Sequence, residues 1–363
     1  MDKSICVVTP SFNGGGAERI AVNLANYYAE MGRDVSIIAF MATGAYANQV
    51  SDKVKVIDLN SRARYVFFKL LGALKKQQSG LVLSVIRDSN IFVGLSSYFL
   101  KSKTIFREAN TMDAVMAMPL FKKNIYLFLM RQAYKRADKV IANSEDTKED
   151  LLKNKVVCSD KIQVIGNPVL VSDFEKLVTK QLSHQWLGVP QYKTILNVGR
   201  LHRQKNQALL VNAFSLVYAN FSNVRLVILG EGEEAESLIA LIKQLGLDEV
   251  VTIIPFQQNP YPYYKAADVF ILTSDWEGFG NVIVEAMASS TPIISTNCPG
   301  GPKMILNNGE FGSLIEPNNK EKLADAIIKE LQNPSSPEAI KRSKQRAMEY
   351  SLQQIAEKYL EII

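Results

Sequence analysis

The chain has 363 residues, 47% hydrophobic and 21% charged, enough for two domains with separate cores and unlike a disordered or fibrous composition. Its three cysteines, Cys6, Cys158 and Cys298, show no pair spacing, which argues against a disulfide framework or zinc site, and no apolar run approaches the roughly 20 residues of a membrane-spanning helix. The net charge of +6 is uneven: residues 1–168 hold 24 Lys+Arg against 15 Asp+Glu, and the remainder holds 18 against 21.

The opening MDKSICVVTP lacks the apolar core and small-residue tail of a signal peptide and reads as a buried strand from Ser4 to Val8. A loop over Thr9–Gly16 and an apolar stripe at Ile20, Ala21, Leu24, Tyr27 and Tyr28 predict a helix from Ala17 to Glu30, ended by Gly32. A second strand follows at Asp34–Phe40, the start of a parallel α/β sheet. Two helical stretches then mix bases with apolar residues. One is Arg62–Lys76, with Phe67, Leu70, Leu71 and Leu74 beside Arg62, Lys69 and Lys76. The other is Phe121–Lys139, with Lys122, Lys123, Arg131, Lys135 and Arg136. Such helices suit an anionic membrane surface or, equally, the solvated outside of an α/β domain. Residues 166–190, containing Gly166-Asn167-Pro168, read as a linker.

The α/β plan then restarts. Strands are expected at Lys193–Val198, Val224–Leu229, Val250–Ile254, Val269–Thr273 and Pro292–Ser295, with a helix at Gln207–Ala219. Two restarts predict two doubly wound Rossmann-like domains facing a central cleft.

Three motifs carry chemistry. Gly14-Gly15-Gly16-Ala17-Glu18-Arg19 sits between strand and helix, where glycines admit a ligand and free N–H groups attract an anion; any tight turn also uses such residues. Its spacing is not the dinucleotide fingerprint, which disfavours a nicotinamide dehydrogenase. Gly199-Arg200-Leu201 with Lys205-Asn206 places two cations after a strand, suited to a diphosphate leaving group or, more simply, to a basic helix start. Glu277-Gly278-Phe279-Gly280-Asn281-Val282 leads into a helix with Glu285 about one turn in, so carboxylates for sugar or ribose hydroxyls stand beside an anion-binding helix start; a capping or solvated pair is the plainer alternative. No Asp-x-Asp pair of the metal-holding kind is present.

On these residues, with Leu229-Gly230-Glu231-Gly232, Ala267-Asp268-Val269 and Asn297-Cys298-Pro299-Gly300-Gly301-Pro302, the chain resembles the family-four retaining glycosyltransferases, the group 1 enzymes of the B fold. The likeness is strong over residues 190–330 and looser before, where the Gly14 loop and Ala142-Asn143-Ser144 carry it. It implies an acceptor domain over 1–168, a nucleotide-sugar domain over 169–347, and a last helix in 348–363 crossing back to the first domain. Arg200 and Lys205 would bind the donor diphosphate, Glu285 the ribose, and Glu277 with the backbone of Phe279–Val282 the transferred sugar. Glu231 and Phe256 would lie near the base. Gly15 and Gly16 would close over the donor from the first domain. The family histidine is missing: only His184 and His202 occur, and the matching stretch reads Phe106-Arg107-Glu108-Ala109-Asn110-Thr111. Glu108 or Asn110 is then the candidate for positioning the acceptor, with a purely structural role for Glu108 the alternative.

The resemblance implies transfer of a hexose or N-acetylhexosamine from a UDP-sugar to a polysaccharide or lipid-linked glycan in bacterial surface polysaccharide synthesis, lipopolysaccharide included. It implies no metal and no cofactor, since the nucleotide sugar is a substrate, and no nucleic-acid partner. The expected location is cytoplasmic, peripheral at the inner face of the cell membrane. A sugar-nucleotide epimerase, or a non-catalytic sugar-nucleotide-binding partner of another transferase, would share much of this pattern.

Overall fold

The computed structural model describes residues 4–13, 16–61 and 65–362. The chain divides into two units, residues 1–168 with 352–363, and residues 169–351.

In the first unit the elements run β1 (Ser4–Ser11), α1 (Gly16–Glu30), β2 (Asp34–Met41), β3 (Lys55–Asp58), α2 (Val66–Gln77), β4 (Leu81–Ser84), α3 (Arg87–Ser96), β5 (Lys103–Glu108), α4 (Asp113–Met116), α5 (Leu120–Lys135), β6 (Lys139–Ala142), α6 (Glu145–Lys153) and β7 (Ile162–Val164). The strands form one seven-stranded parallel sheet in the order β3-β2-β1-β4-β5-β6-β7. Strands such as Leu81–Ser84 are buried throughout because both sheet faces are covered by helices. One core layer joins Val8, Val82 and Phe106 of the sheet to Leu70, Val93, Met130 and Leu151 of the helices. The Ala142-Asn143-Ser144 motif is a helix start: Ser144 Oγ accepts from Thr147 N at 3.2 Å, and Asn143 Nδ2 donates to the Ala109 carbonyl at 2.8 Å.

The second unit contains α7 (Phe174–Val178), β8 (Lys193–Val198), α8 (Gln207–Tyr218), β9 (Val224–Leu229), α9 (Ala235–Gln244), β10 (Val251–Ile254), α10 (Tyr261–Ala266), β11 (Val269–Leu272), α11 (Asn281–Ala288), β12 (Ile293–Thr296), α12 (Pro302–Ile305), β13 (Ser313–Ile315), α13 (Lys320–Gln332) and α14 (Pro337–Met348). Its parallel sheet has the order β10-β9-β8-β11-β12-β13. The order reverses between β8 and β11, the topological switch point beyond whose strand ends doubly wound sheets bind ligands.

Three expectations need correction. The basic stretch expected as one helix to Lys139 ends at Lys135, and Lys139 opens strand β6. Residues 166–190 are not a loose linker: Val169 and Leu170 donate to the Tyr350 carbonyl, and Phe174, Trp186 and Leu187 are buried. The last helix, α15, spans Leu352–Glu361 within the expected 348–363, and the second unit runs on to Ser351. Helix α15 packs on α1 within the first unit, where the Tyr28 hydroxyl donates to the Ala356 carbonyl at 2.9 Å. Arg62, expected to start the first basic helix, lies outside the described residues; α2 begins at Val66. Among the described residues no helix is long and apolar enough to cross a membrane.

Candidate active site

The loops leaving β8 and β9, and those leaving β11 and β12, are pressed together in pairs by backbone against backbone. A Cβ on Gly230 would stand 1.9 Å from the Gly199 carbonyl oxygen, and one on Gly232 would stand 2.1 Å from that of Leu201. Leu201 N donates to the Glu231 carbonyl at 2.8 Å, sealing the same contact. On the other side, Gly300 has φ +116°, and a Cβ there would lie 2.0 Å from the Glu277 carbonyl oxygen. A Cβ on Gly301 would lie 1.9 Å from that of Phe279. Only glycine permits these approaches, so the four positions fix where the neighbouring side chains stand.

Lys205 follows in a short 3-10 turn (Arg203–Lys205), with its stem against Gly199. Its ammonium meets Glu277 Oε1 at 2.5 Å, and Ser274 Oγ donates to the same oxygen at 2.6 Å. Glu277 is buried and Lys205 nearly so, which strengthens this charge-assisted bond. Arg200, five residues before Lys205, is exposed, and among the described residues its guanidinium has no hydrogen-bond or ion-pair partner. One fixed cation and one open cation therefore rise from a single strand end, beside a carboxylate from the adjacent one.

Gly280, at φ +94°, turns the chain into α11, whose first residues are Asn281 and Val282. Glu285 lies one turn in and is buried; the Tyr264 hydroxyl donates to its Oε2 at 3.1 Å. Burial first, and then the charge of Glu285, raise the Tyr264 pKa well above that of an ordinary phenol, so the ring remains a donor. Gly278 is half-buried and Phe279 is buried against Tyr350, with ring centroids 5.3 Å apart. Glu231 is exposed, and its Oε1 accepts from Phe256 N at 3.1 Å; the Phe256 ring is itself exposed. The structure thus brings together Lys205 with Glu277, and Glu231 with Phe256, and sets Arg200, Phe279–Val282 and Glu285 on the same strand-end rim.

Glu108 belongs to the first unit, at the end of β5, and is 1% exposed. Its Oε1 accepts from the Tyr134 hydroxyl and from Asn90 Nδ2 at 3.1 Å; its Oε2 accepts from Arg87 Nε at 2.9 Å. Arg87 also donates to the Asn110 and Thr111 carbonyls at 2.6 and 3.1 Å. Burial works against the charge on Arg87, yet Glu108 and the phenols around it leave its pKa raised. Both oxygens of the buried Glu108 accept hydrogen bonds, and through Arg87 it anchors residues 109–111, which is the structural alternative given for it above. Asn110 is exposed beside it. Gly15 lies outside the described residues, and Gly16 is the first residue of α1.

Sequence reading missed Ser274 and Tyr264. Ser274 is three residues before Glu277 and was legible only as a polar residue after a strand; Tyr264 is 21 residues from Glu285 and carried no local signal. Among the described residues no group of three or more His, Cys, Asp or Glu is placed to hold a metal ion.

A doubly wound α/β unit with a cation–carboxylate pair at its switch point has the form of a unit that binds a ligand beyond its strand ends. Residues 179–347 match the family described as glycosyl transferases group 1, and residues 14–172 match glycosyltransferase family 4. Over 257 residues the chain is 32% identical to N-acetylgalactosamine-N,N'-diacetylbacillosaminyl-diphospho-undecaprenol 4-alpha-N-acetylgalactosaminyltransferase of Campylobacter jejuni, covering 70% of this chain and 68% of that one. A second Campylobacter jejuni relative, GalNAc-alpha-(1->4)-GalNAc-alpha-(1->3)-diNAcBac-PP-undecaprenol alpha-1,4-N-acetyl-D-galactosaminyltransferase, is 26% identical over 99% of this chain and 98% of its own length. The fold is that of Anabaena HepE, solved with UDP and glucose: TM-score 0.79, 20% identity, 99% of this chain and 98% of that chain covered. The chain belongs to glycosyltransferase family 4 and is a glycosyltransferase of the B fold.

Proposed function

We propose that the enzyme is a retaining, metal-independent transferase moving a hexose or N-acetylhexosamine from a UDP-sugar to a lipid-linked glycan in bacterial surface polysaccharide synthesis. The observation that carries this reading is the convergence of Lys205 and Glu277, with Arg200 open beside them, at the switch point of the second unit. The Campylobacter relatives, named for diphospho-undecaprenol acceptors, support a lipid-linked acceptor; the UDP and glucose of HepE support a UDP-hexose.

In the proposed step the acceptor oxygen bonds to the anomeric carbon on the face from which UDP departs. The C1–O bond to the diphosphate breaks, UDP takes the bonding pair, and a diphosphate oxygen accepts the acceptor's proton. Charge grows on the diphosphate, and Lys205, held by Glu277, and Arg200, open beside it, are cations of the kind that lower such a barrier. Glu277 orients the sugar and holds Lys205 in place. Glu285 takes the ribose hydroxyls, and Glu231 and Phe256 lie toward the base.

The test is proton NMR of the product made from an α-linked UDP-sugar. An α product is expected, and a β product overturns retention. Full activity after exhaustive chelation is expected, and loss restored by a divalent cation overturns metal independence. The donor incubated alone gives only slow hydrolysis; isomerised sugar nucleotide would indicate an epimerase instead.

A further inference from the structure

The two carboxylates of the candidate donor site are each met by a buried hydroxyl. At Glu277, Lys205 Nζ and Ser274 Oγ converge on the same oxygen, Oε1, at 2.5 and 2.6 Å. Lys205 alone supplies the countercharge that a buried carboxylate needs, so the second donor adds direction more than charge balance. Among the described residues no donor stands on Oε2. Ser274 is wholly buried, and its carbonyl accepts from Thr296 Oγ1 of β12 at 2.7 Å, which holds the hydroxyl from the neighbouring strand. Thr273, one residue earlier, donates to the Lys205 carbonyl at 2.9 Å. The two residues that follow β11 therefore tie Lys205 by its backbone and Glu277 by its side chain.

Glu285 has a corresponding hold. The Tyr264 hydroxyl of α10 donates to its Oε2 at 3.1 Å, across 21 residues of sequence. The phenol ring is wholly buried and set edge-on to Phe270 of β11, with centroids 5.3 Å apart, and the Tyr264 carbonyl accepts from Thr291 Oγ1 at 2.7 Å. A ring clamped at its face and its backbone can aim a carboxylate but cannot follow it. Each hydroxyl has a single proton and has given it to its carboxylate. The Lys205 ammonium has three and can turn to a diphosphate, and the hold on Glu277 then rests on Ser274.

We propose that Ser274 and Tyr264 are positioning residues that divide donor recognition between them, Ser274 aiming Glu277 at the transferred sugar and Tyr264 aiming Glu285 at the ribose. This deepens the proposed function and rests on its reading of Glu277 and Glu285 as the carboxylates that meet the donor.

The experiment pairs calorimetric binding of UDP with hydrolysis of UDP-glucose, UDP-galactose and their N-acetylated forms, using the full chain. Ser274→Ala should leave the UDP Kd within about twofold and lower kcat with the donor the parent uses by roughly tenfold. Tyr264→Phe should do the reverse, raising the UDP Kd by roughly tenfold with kcat at saturating donor within about threefold of the parent. Ser274→Cys, close in size but a weaker donor, should fall between the parent and Ser274→Ala. Adding Ser274→Ala to Glu277→Gln should cost no further rate, since Ser274 acts through that carboxylate. Two variants that lose UDP affinity and turnover alike, or a full further loss in the double variant, overturn the proposal, because hydroxyls that only support the fold would not separate base-side from sugar-side effects. A parent that binds UDP and consumes a donor while both single variants match it overturns the proposal alone. A parent that binds no UDP, or consumes none of the four donors, overturns the donor-site reading and the proposal with it.

Discussion

The two units solve one problem, holding a loop at a strand end, by different means. In the second unit glycine backbones do it: Gly230 and Gly232 lie against residues 199–201, and Gly300 and Gly301 against residues 277–279. In the first unit side chains do it, through Glu108, Arg87, Asn90 and Tyr134. The backbone solution leaves side chains available, so among the described residues the Arg200 guanidinium has no partner and Lys205 has one short bond. The side-chain solution occupies them, and both oxygens of Glu108 already accept hydrogen bonds. A charged residue at a strand end is therefore a candidate for chemistry only where something else holds the loop.

Substitutions can break either side of this contrast. The largest effect is expected at the cations: Arg200→Ala should lower kcat/KM by about 10²–10³ with an unchanged melting temperature, because its exposed guanidinium has no partner among the described residues. Lys205→Ala should lose as much rate and also melt earlier, since it strands the buried Glu277. Near-normal turnover in both variants would remove the assignment. Next, Gly300→Ala forces a side chain into a left-handed conformation and onto the Glu277 carbonyl, so donor KM should rise about tenfold and stability fall by about 1–3 kcal/mol. An unaltered KM would mean that this loop does not hold the donor site.

Glu108→Gln should act in the reverse sense. It leaves a largely buried guanidinium unpaired, at a cost of about 3 kcal/mol, or roughly 6–12 °C in melting temperature, with kcat/KM changed by less than about tenfold. A rate loss matching that of Arg200→Ala, without thermal destabilisation, would restore Glu108 as a catalytic group. The smallest effect concerns the thiols. Burial, and for Cys298 also the charge of Glu277, push Cys6 and Cys298 up to about 12. Their neutral forms thus add stability that is complete below pH 9 and lost as pH rises toward 12. At pH 8 iodoacetamide should add one group, at the exposed Cys158, as read by mass spectrometry; three additions to the native protein would contradict the burial.

The legible parts of the fold were those set by short-range pattern. Strands Lys193–Val198 and Val224–Leu229 have the ends read from sequence, because each is a short apolar run bounded by turn residues. The helix expected in 348–363 begins only at Leu352, after a long-range contact in which the Tyr350 carbonyl is taken by the N–H groups of Val169 and Leu170. Glu277 and Glu285 stood out because seven residues of glycine-rich loop and helix start separate them. The partners of Glu108 are invisible in the sequence for the opposite reason: Asn90 and Tyr134 are 18 and 26 residues away and meet it only once β5, α3 and α5 are packed.

The return of α15 to the first unit bears on how the chain matures. Tyr28, Ile355, Ala356 and Tyr359 are all nearly or wholly buried, and the segment that covers Tyr28 leaves the ribosome after the entire second unit. The earlier-made half therefore waits, its α1 surface uncovered, until synthesis reaches residue 361. Release of a chain stopped at residue 351 would give a protein with one finished half and one sticky one, prone to capture by chaperones and to clumping.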